Sequence, residues 1–180
     1  MIKKSIQIVL LSLILTLSSF TFEDWYKYES TNFNISFPQK PVEGSIMMNT
    51  QAGEVDVKTL LYKAQNSSDK NLRFYVSCSG IPNASREGFS QDAENLFLDA
   101  AVKGSVRNHK AILLSEKPIR LGKFSGREAR MSMSDNKIVA RLKSYIVGDE
   151  YYGLIVYTLK ENDDNSEIEK FFNSFVVKTK

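Results

Sequence analysis

The chain has 180 residues, 42% of them hydrophobic and 25% charged, with one cysteine and one histidine. That is enough apolar material for one core of ordinary size, and it excludes disordered, collagen-like and disulfide-framework classes. A formal net charge of +3, from 24 basic against 21 acidic residues, becomes 22 against 21 once Lys3 and Lys4 leave with a leader, so nothing pulls the chain toward nucleic acid.

Met1-Ile2-Lys3-Lys4 is a basic start, Ile6 to Leu17 is apolar except for Gln7, Ser12 and Thr16, and Ser18-Ser19 supplies small residues for cleavage. This is the plan of a secretory signal peptide spanning 1–19, ahead of a single α+β domain at 20–180. The apolar run is shorter than the ~20 residues of a spanning helix, yet counting through Phe22 keeps an uncleaved anchor open as the one membrane attachment. No cysteine follows the run, so the thiol of a lipoprotein anchor is missing. The expected address is the periplasm or the cell exterior, most simply of a bacterium.

Phe33, Ile35 and Phe37 alternate with polar neighbours and stop at Pro38, which predicts the first strand. Pro41 and Gly44 precede a short strand over 45–49, and Gln51-Ala52-Gly53 reads as a turn. Val55, Val57, Thr59 and Leu61, then Leu72, Phe74, Val76 and Cys78, alternate on either side of a polar loop and read as a hairpin. From Ser90, placed as N-cap, Ala93, Leu96, Phe97, Ala100 and Ala101 recur at helical spacing, with Val106 continuing the pattern over 91–106. Strands follow at 111–115, 128–132, 138–147 and 151–159. The last is apolar in both parities, which places it centrally with both faces covered. Asp164 or Asn165 caps a closing helix whose stripe is Ile168, Phe171, Phe172 and Phe175. Hairpins plus two helices predict an α+β fold, an antiparallel sheet flanked by helices in a three-layer α-β-α sandwich.

Four segments carry a family resemblance: Asn32-Phe33-Asn34-Ile35-Ser36-Phe37-Pro38, the strand from Leu72 to Pro82, Gly126-Arg127-Glu128-Ala129-Arg130, and Ile168-Glu169-Lys170-Phe171-Phe172-Asn173-Ser174-Phe175. Over about Trp25 to Lys178 the chain resembles PsbP-like proteins, a family named for an extrinsic subunit of photosystem II. The resemblance implies an α-β-α sandwich and a binding or assembly role in place of catalysis. No partner-binding or metal-binding motif of that family is matched here, and nothing implies photosynthesis.

Catalytic constellations are sparse. His109 stands in a charged stretch past a helix end and reads as a surface residue. Phe124-Ser125-Gly126 lacks the first glycine of a nucleophile elbow. One histidine and one cysteine cannot build a nitrogen and sulfur metal site, and Asp163, Asp164 and Glu167 read as helix-capping acids. No catalytic residue, cofactor or metal ligand is assigned. The one candidate surface is the polar parity of the sheet, where Tyr62, Arg73, Tyr75, Arg130, Arg141, Lys143 and Tyr145 form a partner-binding face if their strands are neighbours. The leading expectation is an exported, non-catalytic binding or accessory protein whose partner is a protein or envelope component. Two alternatives stay open: a carrier of a small apolar ligand, suggested by Met47, Met48, Met131 and Met133, and a hydrolase whose site only folding assembles.

Overall fold

The computed structural model describes residues 24–50, 53–66, 69–82, 90–133 and 135–178. The leader at 1–19, Gln51-Ala52 of the expected turn and Ser134 of another lie outside them. Seven strands form one antiparallel sheet: β3 (Val42–Thr50), β4 (Gly53–Lys63), β5 (Asn71–Gly80), β6 (Ile112–Leu121), β7 (Phe124–Met133), β8 (Ile138–Val147) and β9 (Glu150–Leu159). Their spatial order is β3-β4-β5-β9-β8-β7-β6. The doubly apolar strand β9 is thus the fourth of seven, as its composition requires. A second sheet of three strands, β1 (Tyr26–Glu29), β2 (Phe33–Phe37) and β10 (Val176–Val177), has β2 in the middle.

The pleat sorts side chains to two faces, and each face has its own cover. On one, α1 (Gln91–Asn108) sets Val102 against Ala129, Met131, Ala140, Leu142 and Ile155, and Leu98 against Ile81 and Ile146. On the other lie α2 (Ser166–Asn173) and the small sheet. Phe33, Ile35 and Phe37 of β2 and Ile168, Phe171 and Phe172 of α2 pack on Phe74, Val76, Leu154 and Val156. One cover is therefore a helix, and the other is part helix and part sheet.

Local chemistry accounts for the element ends. The Ser90 hydroxyl accepts from the Ala93 amide at 3.2 Å, and the Asn165 side chain accepts from the Glu167 amide at 3.1 Å, so each helix begins on a side-chain cap. Asp135 and Asn136 both have positive φ, 53° and 67°, the conformation that a tight β7–β8 turn demands and that Asp and Asn tolerate. Gly126 is obligatory for a different reason. A Cβ there would stand 2.5 Å from the Ser144 carbonyl oxygen and 2.6 Å from the Tyr145 ring.

Several expectations are corrected. Strand β1 has little periodic signal, and β2 belongs to the small sheet and not the main one. Strand β3 runs through nine residues instead of a short 45–49 segment. Strand β6 continues past Ser115 through Pro118, which an edge strand accommodates because its outward amide needs no partner. The stripe of α1 is also rotated. Leu96 is 71% exposed, whereas the face toward the sheet carries Asn95, Leu98, Asp99 and Val102. That face is half polar because Asn95 and Asp99 bond Arg127, and a search for apolar period alone passes over it.

Candidate functional site

The seven residues expected to share one face do not. Registers place Tyr62, Arg130, Arg141, Lys143 and Tyr145 on the α2 side, because Arg130 faces Arg141, which faces Val156, which faces Phe74, which faces Tyr62. Arg73 and Tyr75 flank Phe74 and point to the α1 side. Tyr62 and Tyr145 are core residues, Tyr145 stacked on Phe175 with ring centroids 6.0 Å apart. The surface narrows to Arg130, Arg141 and Lys143.

These three cations meet three carboxylates where Glu169 of α2 and Asp163 of the turn before it approach β7 and β8. Arg130 pairs with Asp163, and Arg141 approaches Glu169 at 3.3 Å, Glu128 at 3.6 Å and the Asp163 carboxylate at 3.9 Å. Arg141 also donates to the Asp163 carbonyl at 3.2 Å. Lys143 reaches Glu169 at 3.5 Å and lies over the Phe172 ring at 4.7 Å. Asp163 is buried, so it is the counter-ion of this cluster and not a capping acid; the cap is Asn165. Truncating Arg141 would leave Asp163 and Glu169 short of charge, so the cluster is partly structural.

Beside it opens a recess of about 420 Å³ between Ser115, Glu128, Arg130 and Arg141 on the sheet and Lys160, Glu161, Asp163 and Asp164 on the turn after β9. Next to Ser115 on β6, Leu114 at the bulge and Ile112, whose partner Ser132 shares the face of Arg130, are exposed, whereas Leu113, opposite Met131, points to the α1 side. A mixed-charge hollow with an apolar lip is therefore presented at the β6 end of the sheet.

A second recess, about 470 Å³, lies where the β1–β2 turn meets β3, β4 and β5, lined by Tyr28, Phe33, Glu43, Lys58, Cys78 and Glu150 among others. The Tyr152 hydroxyl donates to Glu150, whose other oxygen accepts from Asn32 Nδ2 at 2.9 Å. Burial, with the Glu150 charge adding, pushes the Cys78 thiol up to about 11, and burial with the Glu150 hydrogen bond raises Tyr152. Thiol and phenol are held protonated near neutral pH, and the thiolate is the nucleophilic form. Their chemistry here is that of packing and hydrogen bonding.

Residues not singled out by sequence also position this surface. Arg127, buried, donates from Nε to Asp99 at 2.7 Å and from Nη2 to Asn95 at 3.2 Å, pinning α1 to β7. Asn71, buried, exchanges amide hydrogen bonds with Asn165 at 3.1 and 2.9 Å and donates to Glu167 at 2.9 Å, tying the α2 cap to β5. His109 is not a free surface group: Nδ1 donates to the Ser105 carbonyl at 2.8 Å, and Nε2 lies 2.7 Å from the Tyr157 hydroxyl. The four methionines do not converge. Met47 and Met48 are exposed on β3, and Met131 is in the core under α1, so they line no common chamber.

Taken with the strand order, the two covers define an α+β protein built on an antiparallel sheet. No family model and no curated protein matches the chain. Solved structures do, among them the solution structure of cyanobacterial PsbP (CyanoP) from Synechocystis sp. PCC 6803, at a TM-score of 0.55 and 13% identity, with 89% of this chain and 96% of that chain covered. The fold is PsbP-like, as the four sequence segments suggested. No described helix is long and apolar enough to cross a membrane.

Proposed function

We propose that this is an exported, non-catalytic binding or accessory protein that docks a protein or envelope component at the β6 end of its sheet. The observation that carries the reading is the recess around Arg130 and Lys160 with exposed Ile112 and Leu114 of β6 next to it. Exposed apolar side chains next to a polar rim are the usual anatomy of a docking surface. The PsbP-like fold supports an accessory role, the basic and apolar start at 1–19 supports export to the periplasm or beyond, and the two-sided cover supports the three-layer plan. Of the seven residues first grouped, Arg130 and Arg141 belong to this surface; Lys143 supports it from beneath α2.

The test is capture of crosslinked partners from the envelope fraction of the producing cells by the double variant Leu114→Lys/Lys160→Glu. Both side chains are exposed, so stability should stay within about 0.5 kcal/mol of the parent. Capture is expected to be lost, while Arg73→Ala on the opposite face leaves it intact. Undiminished capture by the double variant refutes the assignment.

A further inference from the structure

The sheet has two edges, and they are built differently. Strand β6 carries Glu116, Lys117, Pro118 and Arg120, and its register with β7 shifts between Leu113 and Ser115. Charges, a proline and a bulge are the devices by which an edge is kept from pairing with another chain. Strand β3 has neither the proline nor the bulge, and a single charge. Its nine residues, Val42 to Thr50, pair with β4 without a register shift, and they include no lysine, no arginine, no proline and one charged residue, Glu43. Strand β5 joins β4 only from Lys58 onward, so 46–50 and 53–57 pair as a two-stranded arm beyond the body of the sheet. Two strands alone are marginal in water. The arm is also apolar on one side: Ile46 faces Val57 and Met48 faces Val55, and Ile46 and Met48 are exposed. A long edge of unbroken register with one apolar side is a template for strand addition.

We propose that the β3 edge is the docking surface for β3 of a second copy of this chain, the two strands pairing antiparallel about a twofold axis at Ile46. Full overlap of nine residues fixes that register. It sets Ile46 against Ile46, Ser45 against Met47, Gly44 against Met48, Glu43 against Asn49 and Val42 against Thr50. Large residues thereby fall opposite small ones: each methionine meets a serine or a glycine, which leaves room for it across the seam. The two Glu43 residues end six positions apart along the pair, about 20 Å at the rise of a strand, well beyond the screening length of about 8 Å in physiological salt. No like charges stand opposite one another. Val42, Gly44, Ile46 and Met48 of both copies then share a face with Val55 and Val57, making one apolar band in place of two exposed ones. Pairing of β3 with β6 of a second copy would instead propagate as an open array, and Pro118 and the β6 bulge oppose it.

The experiment is sedimentation velocity of the exported chain purified from its producing cells, over a concentration series. A dimer is expected at micromolar concentration. Ile46→Lys, which puts two ammonium groups face to face on the axis, should weaken association by about 100-fold or more. Leu113→Lys on the β6 edge should leave association unchanged. Both sites are exposed in the single chain, so circular dichroism should hold for both variants, and so should the melting temperature at concentrations too low for the parent to associate. Oxidation of Ile46→Cys should give a covalent dimer linked through position 46 by peptide mapping, and Leu113→Cys should not. A chain that is monomeric up to about 1 mM, or a dimer indifferent to Ile46→Lys, overturns the proposal. So does an Ile46→Cys chain that crosslinks to another protein and not to itself, which assigns the edge to a different occupant. The edge and the β6 surface lie at opposite ends of the sheet, so either assignment can fail without the other.

Discussion

The two faces of the sheet are covered by opposite strategies. The α1 helix has 18 residues, of which only Leu98 and Val102 are buried, and it is fastened by Arg127 reaching Asp99 and Asn95. The α2 helix has eight residues, three of them buried, and it is fastened by aromatic contact: Phe171 lies 5.4 Å from Phe37 and 5.1 Å from Phe74 by ring centroid. Length and attachment are therefore decoupled. A short helix with a dense apolar stripe anchors one side, and a long one with a half-polar stripe is held by directional bonds on the other. Burial of apolar area is cooperative with the whole core, whereas one buried guanidinium is a local fastening.

That contrast can be broken first at Phe171. Phe171→Ala removes a fully buried ring from the middle of the aromatic cluster and should cost about 3–5 kcal/mol of unfolding free energy by denaturant titration. All regions should lose protection together in hydrogen exchange, since this cluster joins β2, β5, β9 and α2. A loss below about 1 kcal/mol would mean that the α2 cover is dispensable. Arg127→Met should do less and do it locally. It deletes charge-assisted bonds worth about 2 kcal/mol while keeping most of the side-chain volume. Asp99 is 40% exposed and is hydrated when its partner goes. Amides of α1 should then exchange faster while β8 and β9 stay protected. Uniform loss across the sheet would contradict a local fastening.

The same contrast decides what could be read from residue order. Strand β8 and the heart of β9 are legible because their apolar positions alternate or fill both parities, and α2 because its stripe is dense. Strand β1 is not, since among Tyr26, Lys27, Tyr28 and Glu29 nothing is fully buried. The inward face of α1 is not legible in the sequence, because Asn95 and Asp99 have the character of solvent residues and only the fold sets Arg127 across from them. The Gly126-Arg127-Glu128 run carried the hint: a glycine pressed against Tyr145, an arginine facing α1 and a glutamate facing Arg141. The candidate surface was only partly legible. Parity is readable along one strand, but relative parity between strands depends on register, and the bulge between Asn71 and Arg73 resets the face count in β5. Without that register, nothing in the sequence separates Arg73 and Tyr75 from the face of Arg141.

Alkaline pH compares the two faces through their tyrosines. Burial pushes Tyr151 and Tyr157 on the α1 side, and Tyr145 on the α2 side, up to about 12. At Tyr145 the charges of Glu128 and Glu169 add to burial. In the unfolded chain each phenol ionises near 10, so folding holds the proton more tightly. The stabilisation is complete below pH 10, and each tyrosine withdraws about 1.4 kcal/mol per pH unit as pH rises from 10 to 12. Tyr145→Phe keeps the ring on Phe175 and removes the proton. Its unfolding free energy should fall less steeply than the parent's over this window, by the share of one phenol, while the two chains run parallel from pH 7 to 9. Denaturant titrations at pH 8, 10 and 11 read the difference. Parallel curves across the whole range would mean that Tyr145 is hydrated in the folded chain, and that the aromatic cover of α2 stops short of β8.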